Sequence, residues 1–310
     1  MALRKNKSIY ARWFWPFIMP GLILFAAVII VPFVTGLFNS FTSWRGSYYF
    51  DPVSKTRAAS AFQALVGLAN YRAAFKDSHF VGALWYTARY TLAAVAAINL
   101  VSLSLALLVN RVSGLFAGFL RTVFLLPNML GSLALGFIFQ FIFQIVFTDI
   151  IFGPEGLIHI EALRHMTQDS LKALFALVLL TTWQSSGYMM LIYIAGLNGI
   201  PKDYYEAASI DGASAFYTFR KITVPMLIPS FTIVFFLTLS NSFKLLDQNV
   251  ALTDGNFNTR MLAYQILRTV RDVTPPDYGK AQAQAAVFFV ILAAISLTQV
   301  YLTKRKELEA

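Results

Sequence analysis

The sequence predicts an all-α, polytopic membrane protein with six transmembrane helices, on three observations. Hydrophobic residues make up 57% of the 310 and charged residues only 13%, with a mean hydropathy of +0.62, far from the composition of soluble domains. Six apolar stretches, each of roughly the 20 residues that cross a bilayer, alternate with polar segments carrying Gly, Pro and charge. No tandem period is visible, and no linker long enough to separate soluble domains interrupts the pattern, so one membrane domain is the simplest organisation.

Met1 to Arg12 carries Arg4, Lys5, Lys7 and Arg12 and gives way to an apolar run, Trp13 to Phe38. That run is too long for a signal-peptide core and no small-residue cleavage site follows, so it reads as a retained first span. Pro16, Pro20 and Pro32 are expected to kink it, with neighbouring helices satisfying the freed carbonyls. Asn39 to Phe80 is a long polar loop whose end, Val66 to Phe80, reads as an amphipathic interfacial helix anchored by Tyr71, Phe75 and Phe80. The second span is expected from Gly82 to Val109, a short basic loop around Arg111, and the third span from Arg121 to Phe147. A polar connection, Thr148 to Ser170, leads into the fourth span, Leu171 to Leu197. After a polar island come the fifth span, Met226 to Leu246, a polar loop, Asp247 to Gln282, and the sixth span, Ala283 to Thr303.

Charge density sets the expected orientation, because Lys and Arg near span ends stay cytoplasmic. Arg4, Lys5, Lys7 and Arg12, the pair Arg111 and Arg121, the island's Lys202, Arg220 and Lys221, and the tail's Lys304, Arg305 and Lys306 crowd into short segments. The basic residues of the other three loops are spread over far longer ones. Both termini and the island are therefore expected in the cytoplasm.

Several function classes are excluded or disfavoured. Cysteine is absent, which removes disulfides, cysteine nucleophiles and thiolate metal sites. No G-x-S-x-G, no Walker-type glycine loop and no pair of carboxylates within a span occurs, so no catalytic residue is assigned. His79, His159 and His165 all fall in loops without an i,i+4 partner, and the His159, Glu161 and His165 group reads as a solvated loop rather than a metal site. The net charge of +10 goes with anchoring in lipid rather than with binding nucleic acid. An ion-gradient carrier would place ionisable groups in mid-span. Here the spans offer Arg89 near an outer end, and Lys244 with Asp247 three residues on near the outer end of the fifth, groups that can snorkel, neutralise each other at helical spacing, or serve a substrate or gate.

The island, Tyr204 to Pro225, reads YYEAASIDGASAFYTFRKITVP. Asp203 to Asp211 has good helix formers in an amphipathic arrangement. Gly212 permits a positive-φ turn, so a second helix, Ala213 to Lys221, can leave at an angle, and Pro225 is expected to close it. Glu206, Ala207 and Ala208, then Gly212 four positions on, then Ile222, Val224 and Pro225, stand at a spacing that resembles the cytoplasmic coupling motif of the membrane subunits of binding-protein-dependent ABC importers. Val224 departs mildly, the family more often having Leu there.

The resemblance covers about residues 85 to 300 and implies an importer-permease (type I) core. Residues 1–80 would add an N-terminus, a first span and a long external loop, residues 81–303 would form the core with its coupling loop at 198–225, and 304–310 would be a cytoplasmic tail. The opening WFWPFIMPGLILFAAVIIVP and the segment VGLANYRAAFKDSHF look like the F-type permease of carbohydrate importers similar to the maltose, glycerol-phosphate and multiple-sugar systems. ALTDGNFNTR, Ala251 to Arg260, resembles that family's glycine-rich loop, with Asp254 and Asn256 where glycine is more usual. The implied partners are a second, G-type permease, an ATPase dimer that uses ATP and Mg, an extracytoplasmic substrate-binding protein, a sugar and membrane lipid, with no cofactor bound by this chain. The implied location is a prokaryotic inner membrane.

Coupling to the ATPase would fall on Glu206, Ala207, Ala208, Asp211, Gly212, Ile222 and Pro225. The substrate path is expected between the fourth and fifth spans, on Trp183, Gln184, Ser185 and Tyr188 and on Thr238, Asn241 and Ser242, where amide and hydroxyl groups can bond sugar hydroxyls and an aromatic ring can cover a sugar's apolar face. The competing reading of those residues is helix-to-helix bonding inside the bundle.

Overall fold

The computed structural model describes residues 2–308, with side chains for 13–304. Among these, five helices are long and apolar enough to cross a membrane: Trp13–Asn39, Ser78–Val109, Ser132–Ile151, Ser170–Asn198 and Tyr278–Lys304. A sixth crossing results if Ala215–Met226 and Ile228–Phe243, bent by 66° at Leu227, count as one. The described residues contain no strand beyond isolated bridges, and the chain is all-α and multi-pass, as its composition requires.

Two compact units are present, residues 1–76 with 268–287 and residues 77–267 with 288–310. In the first, the first span is helical throughout. Pro16 and Pro20 lie inside helix Ala2–Phe25, and a π-helical turn, Ala26–Ile30, precedes Pro32. Proline cannot donate to the carbonyl four residues back and its ring crowds that carbonyl, and widening the preceding turn to π accommodates both effects without breaking the helix. The same device recurs in the other unit, where Phe219–Thr223 is π-helical just before Pro225.

The segment expected as a long polar loop is folded. Asn70 Nδ2 donates to the carbonyls of Ser40 (2.9 Å) and Thr42 (2.8 Å), Arg45 pairs with Asp277 at 3.0 Å, and Trp44 packs on Tyr278 with ring centroids 5.0 Å apart. Tyr71, expected as an interfacial anchor, instead turns inward, its hydroxyl 2.7 Å from Ser40 Oγ and its ring against Phe41. Phe80, another expected anchor, is fully buried in the second span, while Phe75 stays exposed.

In the second unit the fourth span is the hub, packing against the second span, helix Gly114–Met129 and helix Ile228–Phe243. Its buried face, including Leu177, Met190 and Tyr193, meets Tyr86, Tyr90 and Leu227 in one apolar core. Gly187 makes the closest approach: a Cβ there would lie 1.8 Å from the Phe124 carbonyl oxygen, so only glycine lets the two backbones come this near.

Three expected boundaries are corrected. The second span starts at Ser78, four residues before Gly82, because Asp77 caps it, its carboxylate accepting from the His79 N–H at 3.0 Å. The third span, expected unbroken from Arg121 to Phe147, is two helices, Gly114–Met129 and Ser132–Ile151, separated by the extended residues Leu130 and Gly131. The island's second helix does not close at Pro225 but runs to Met226. The break falls at Leu227, because Pro229 opens the next helix and has no N–H to continue the ladder.

Candidate functional site

Two interruptions of helical structure open a polar cavity of about 520 Å³, bounded by the second, fourth and fifth spans and the break after Met129. At the first, Leu130 (φ −77°, ψ 139°) and Gly131 (φ −60°, ψ 129°) are extended, which withdraws the Leu130 carbonyl from any helical ladder. At the second, helix Ile228–Phe243 ends, Leu246 is non-helical, and a short helix, Asp247–Thr253, begins. Non-helical backbone at membrane depth needs partners from protein or water.

Gln184 supplies them. Its Nε2 donates to the Leu130 carbonyl and to Ser132 Oγ, both at 3.3 Å, while its Oε1 accepts from Gln248 Nε2 at 2.8 Å. One buried amide thereby ties the fourth span to both breaks. Elsewhere in the same bundle, Tyr193 OH donates to Asn99 Oδ1 (2.7 Å) and Asn99 Nδ2 donates to Thr238 Oγ1 (3.1 Å), joining the second, fourth and fifth spans. Tyr90 OH donates to Thr181 Oγ1 at 3.0 Å.

Of the seven residues expected on the substrate path, Gln184, Ser185, Thr238, Asn241 and Ser242 line this cavity, whereas Trp183 and Tyr188 do not. Trp183 is 46% exposed with its ring 5.5 Å from that of Phe139, and Tyr188 is 43% exposed one turn beyond Gln184. The helix-bonding reading also holds for part of the set, since Gln184 and Thr238 are engaged with neighbouring helices while Asn241 faces the cavity with no hydrogen-bond partner among the described residues. Tyr90, Asn128, Ser132, Thr181 and Gln248 also line the cavity and escaped the sequence reading. A signal for two of them was present: Pro127, Asn128, Gly131 and Ser132 in an otherwise apolar run mark a helix break with polar edges.

Lys244 and Asp247 do not neutralise each other. The helix ends at Phe243, so helical spacing no longer relates them, and no ion pair joins them among the described residues. Both lie exposed on the cavity.

The island is built by local backbone geometry. Helix Lys202–Ile210 ends in a paired-bond C-cap: the Gly212 N–H donates to the Ser209 carbonyl (3.2 Å) and the Ala213 N–H to that of Ala208 (2.9 Å), with Gly212 at φ +69°. Ser214 then caps helix Ala215–Thr218, its Oγ accepting from the Tyr217 N–H at 3.3 Å. Ala208 is buried, Ile222 and Pro225 are half-buried, and Glu206, Ala207, Asp211 and Gly212 are exposed. Large apolar side chains share that exposure, Tyr204, Ile210, Phe216 and Tyr217.

The histidine loops do not converge on a metal among the described residues. Glu161 is taken up by Arg164 at 2.7 Å, and that hydrogen bond holds its carboxyl below the usual carboxylate range.

Interrupted helices around a polar cavity, with a helix–turn–helix between spans, are the arrangement of a polytopic helical transport subunit. The chain belongs to the family of binding-protein-dependent transport system inner membrane components, whose pattern matches residues 81–307. It is a permease subunit of an ABC importer, a transport component rather than an enzyme. It is 40% identical over 300 residues, 96% of both chains, to the probable starch degradation products transport system permease protein AmyD of Thermoanaerobacterium thermosulfurigenes. It is 29% identical over 309 residues, 99% of this chain and 100% of the other, to the multiple sugar-binding transport system permease protein MsmF of Streptococcus mutans. A chain of a bacterial ABC transporter that imports the acidic polysaccharide alginate has the same fold, with a TM-score of 0.73 at 17% identity over 97% of this chain and 99% of that one.

Proposed function

We propose that this chain forms part of the pore through which an ATP-driven importer moves a sugar or oligosaccharide handed over by an external binding protein. The observation that carries the reading is the polar cavity, where Asn128, Ser185 and Asn241 keep amide and hydroxyl groups free among the described residues to meet a polyhydroxylated ligand, and the saccharide class is supported by relatives named for starch degradation products and multiple sugars. A second permease completes the pore. A pair of ATPase subunits docks on the island through Glu206, Ala207, Ala208, Asp211 and Gly212, with Ile222 and Pro225 setting the helix that follows. The ATPase binds ATP and Mg, and this chain binds no cofactor. Both termini, the 198–225 loop and the 304–310 tail lie in the cytoplasm of a prokaryotic cell, and residues 1–80 add a span and an external folded segment to the 81–303 core.

The island's exposed Tyr204, Ile210, Phe216 and Tyr217 support a docking role, since apolar side chains grouped on a polar connection mark an interaction surface. Reconstitution in liposomes tests the reading. Uptake of a radiolabelled oligosaccharide should require ATP inside, both permeases, the ATPase and the binding protein outside. Uptake by this chain alone under an ion gradient would overturn it, and uptake of glycerol phosphate in place of sugar would move the substrate class.

A further inference from the structure

Many polar side chains of the cavity are already committed, Asn128, Ser185 and Asn241 being neutral groups left free among the described residues. Gln184, Gln248, Tyr90, Thr181 and Thr238 bond one another, neighbouring side chains or backbone. Lys244 and Asp247 are not. Each is exposed on the cavity, Lys244 in the break after Phe243 and Asp247 at the start of the helix that follows, and neither makes a side-chain hydrogen bond or ion pair among the described residues. An ionisable group on a cavity between apolar spans is costly unless water or a ligand satisfies it, and two such groups of opposite sign on one cavity wall are chemically specific. A carboxylate accepts two O–H bonds at once and an ammonium donates up to three, which together match adjacent sugar hydroxyls, each of which can donate and accept. Because the charges cancel, a neutral ligand gains both sets of charge-assisted bonds, whereas an anionic sugar loses at Asp247 what it gains at Lys244.

We infer that Lys244 and Asp247 jointly determine specificity, selecting an uncharged polyhydroxylated saccharide and discriminating against uronate-bearing chains. This rests on the sugar-importer reading above.

The test uses the purified importer complex without its binding protein, so that selection by that protein does not intervene. Binding of a neutral gluco-oligosaccharide and of a uronate oligosaccharide of equal length is read by calorimetry or saturation-transfer NMR. Wild type should prefer the neutral ligand by about tenfold or more, the size of one charge-assisted bond. Asp247→Asn should erase or reverse that preference by raising uronate affinity, and Lys244→Gln should weaken the neutral ligand about tenfold without improving the uronate. If Asp247→Asn does not assemble, Asp247→Glu supplies the second reading and should keep the neutral preference while Lys244→Gln loses it. Equal wild-type affinity for the two ligands, or variants within twofold of wild type for both, would overturn the inference while leaving the importer a sugar carrier. Binding of neither saccharide by the wild-type complex, together with failure of saccharide uptake in the liposome assay with the binding protein present, would instead bring down the sugar reading itself.

Discussion

Gly187 in the fourth span and Gly212 in the island are both places where a side chain is excluded, for opposite reasons. At Gly187 the backbone is ordinary helix and the neighbour is the obstacle, a Cβ falling 1.8 Å from the Phe124 carbonyl oxygen. At Gly212 nothing lies within 4 Å of the added carbon and the backbone is the obstacle, at φ +69°. The bundle around the cavity is thus specified by what approaches from elsewhere in the chain, and the island by torsions within one short stretch. Tertiary packing governs the first and local conformation the second, so the two should respond to substitution in distinguishable ways.

The largest effect is expected at Gly187→Val. The clash is with backbone, which cannot rotate away, so the fourth span and helix Gly114–Met129 must separate, at about 3 kcal/mol. Thermal unfolding of the detergent-purified subunit should fall sharply, and a melting temperature within 2 °C of wild type would mean the packing there is looser than described. Gln184→Leu comes next. It leaves the Leu130 carbonyl and the Gln248 amide unpartnered in a buried setting at about 2 kcal/mol, and uptake should drop along with stability. Loss of uptake with full stability would show that Gln184 touches substrate rather than holding the breaks in place.

Gly212→Val should cost about 1–2 kcal/mol through left-handed strain alone. Insertion should survive while uptake and substrate-stimulated ATP hydrolysis fail. Gly212→Asn sharpens the contrast, because Asn tolerates the left-handed region and should restore coupling, whereas Gly187→Asn should be no better than valine. Normal uptake and ATP hydrolysis in Gly212→Val would remove the coupling role. Tyr193→Phe deletes one interhelical hydrogen bond and should cost about 0.6 kcal/mol, visible as a small melting shift with uptake retained. Abolished uptake at unchanged stability would point to a gating contact instead. The smallest stability change, within about 0.5 kcal/mol, is expected for Ile210→Ser, since Ile210 is 86% exposed. Its readout is affinity for the ATPase in pull-down, and undiminished capture would place the docking surface elsewhere.

The sequence by itself determined the class of protein and the island. Long apolar runs leave hydrogen-bonded helices as the economical structure in lipid, and a helix, glycine, helix pattern is decided within a few residues, which is why Gly212 and the flanking caps could be read directly. The partial success on the cavity has a similar source: Gln184, Ser185, Thr238, Asn241 and Ser242 stood out as polar residues in two otherwise apolar spans, at positions resembling those that line the pore of sugar permeases. Only the tertiary structure decided what those residues meet. Gln184 finds its partners 54, 52 and 64 residues away, and the cavity exists because the third-span region breaks at Leu130 and the fifth span at Lys244. Pro127, Asn128, Gly131 and Ser132 mark the first break and Lys244 the second, but the apolar residues around them keep each run long enough to cross, so both expected spans read as continuous. Trp183 and Tyr188 fell off the cavity for the same reason. The angle at which a helix presents a residue is set by its period, but whether that angle opens on a cavity, a neighbour or lipid depends on packing contributed by distant parts of the chain.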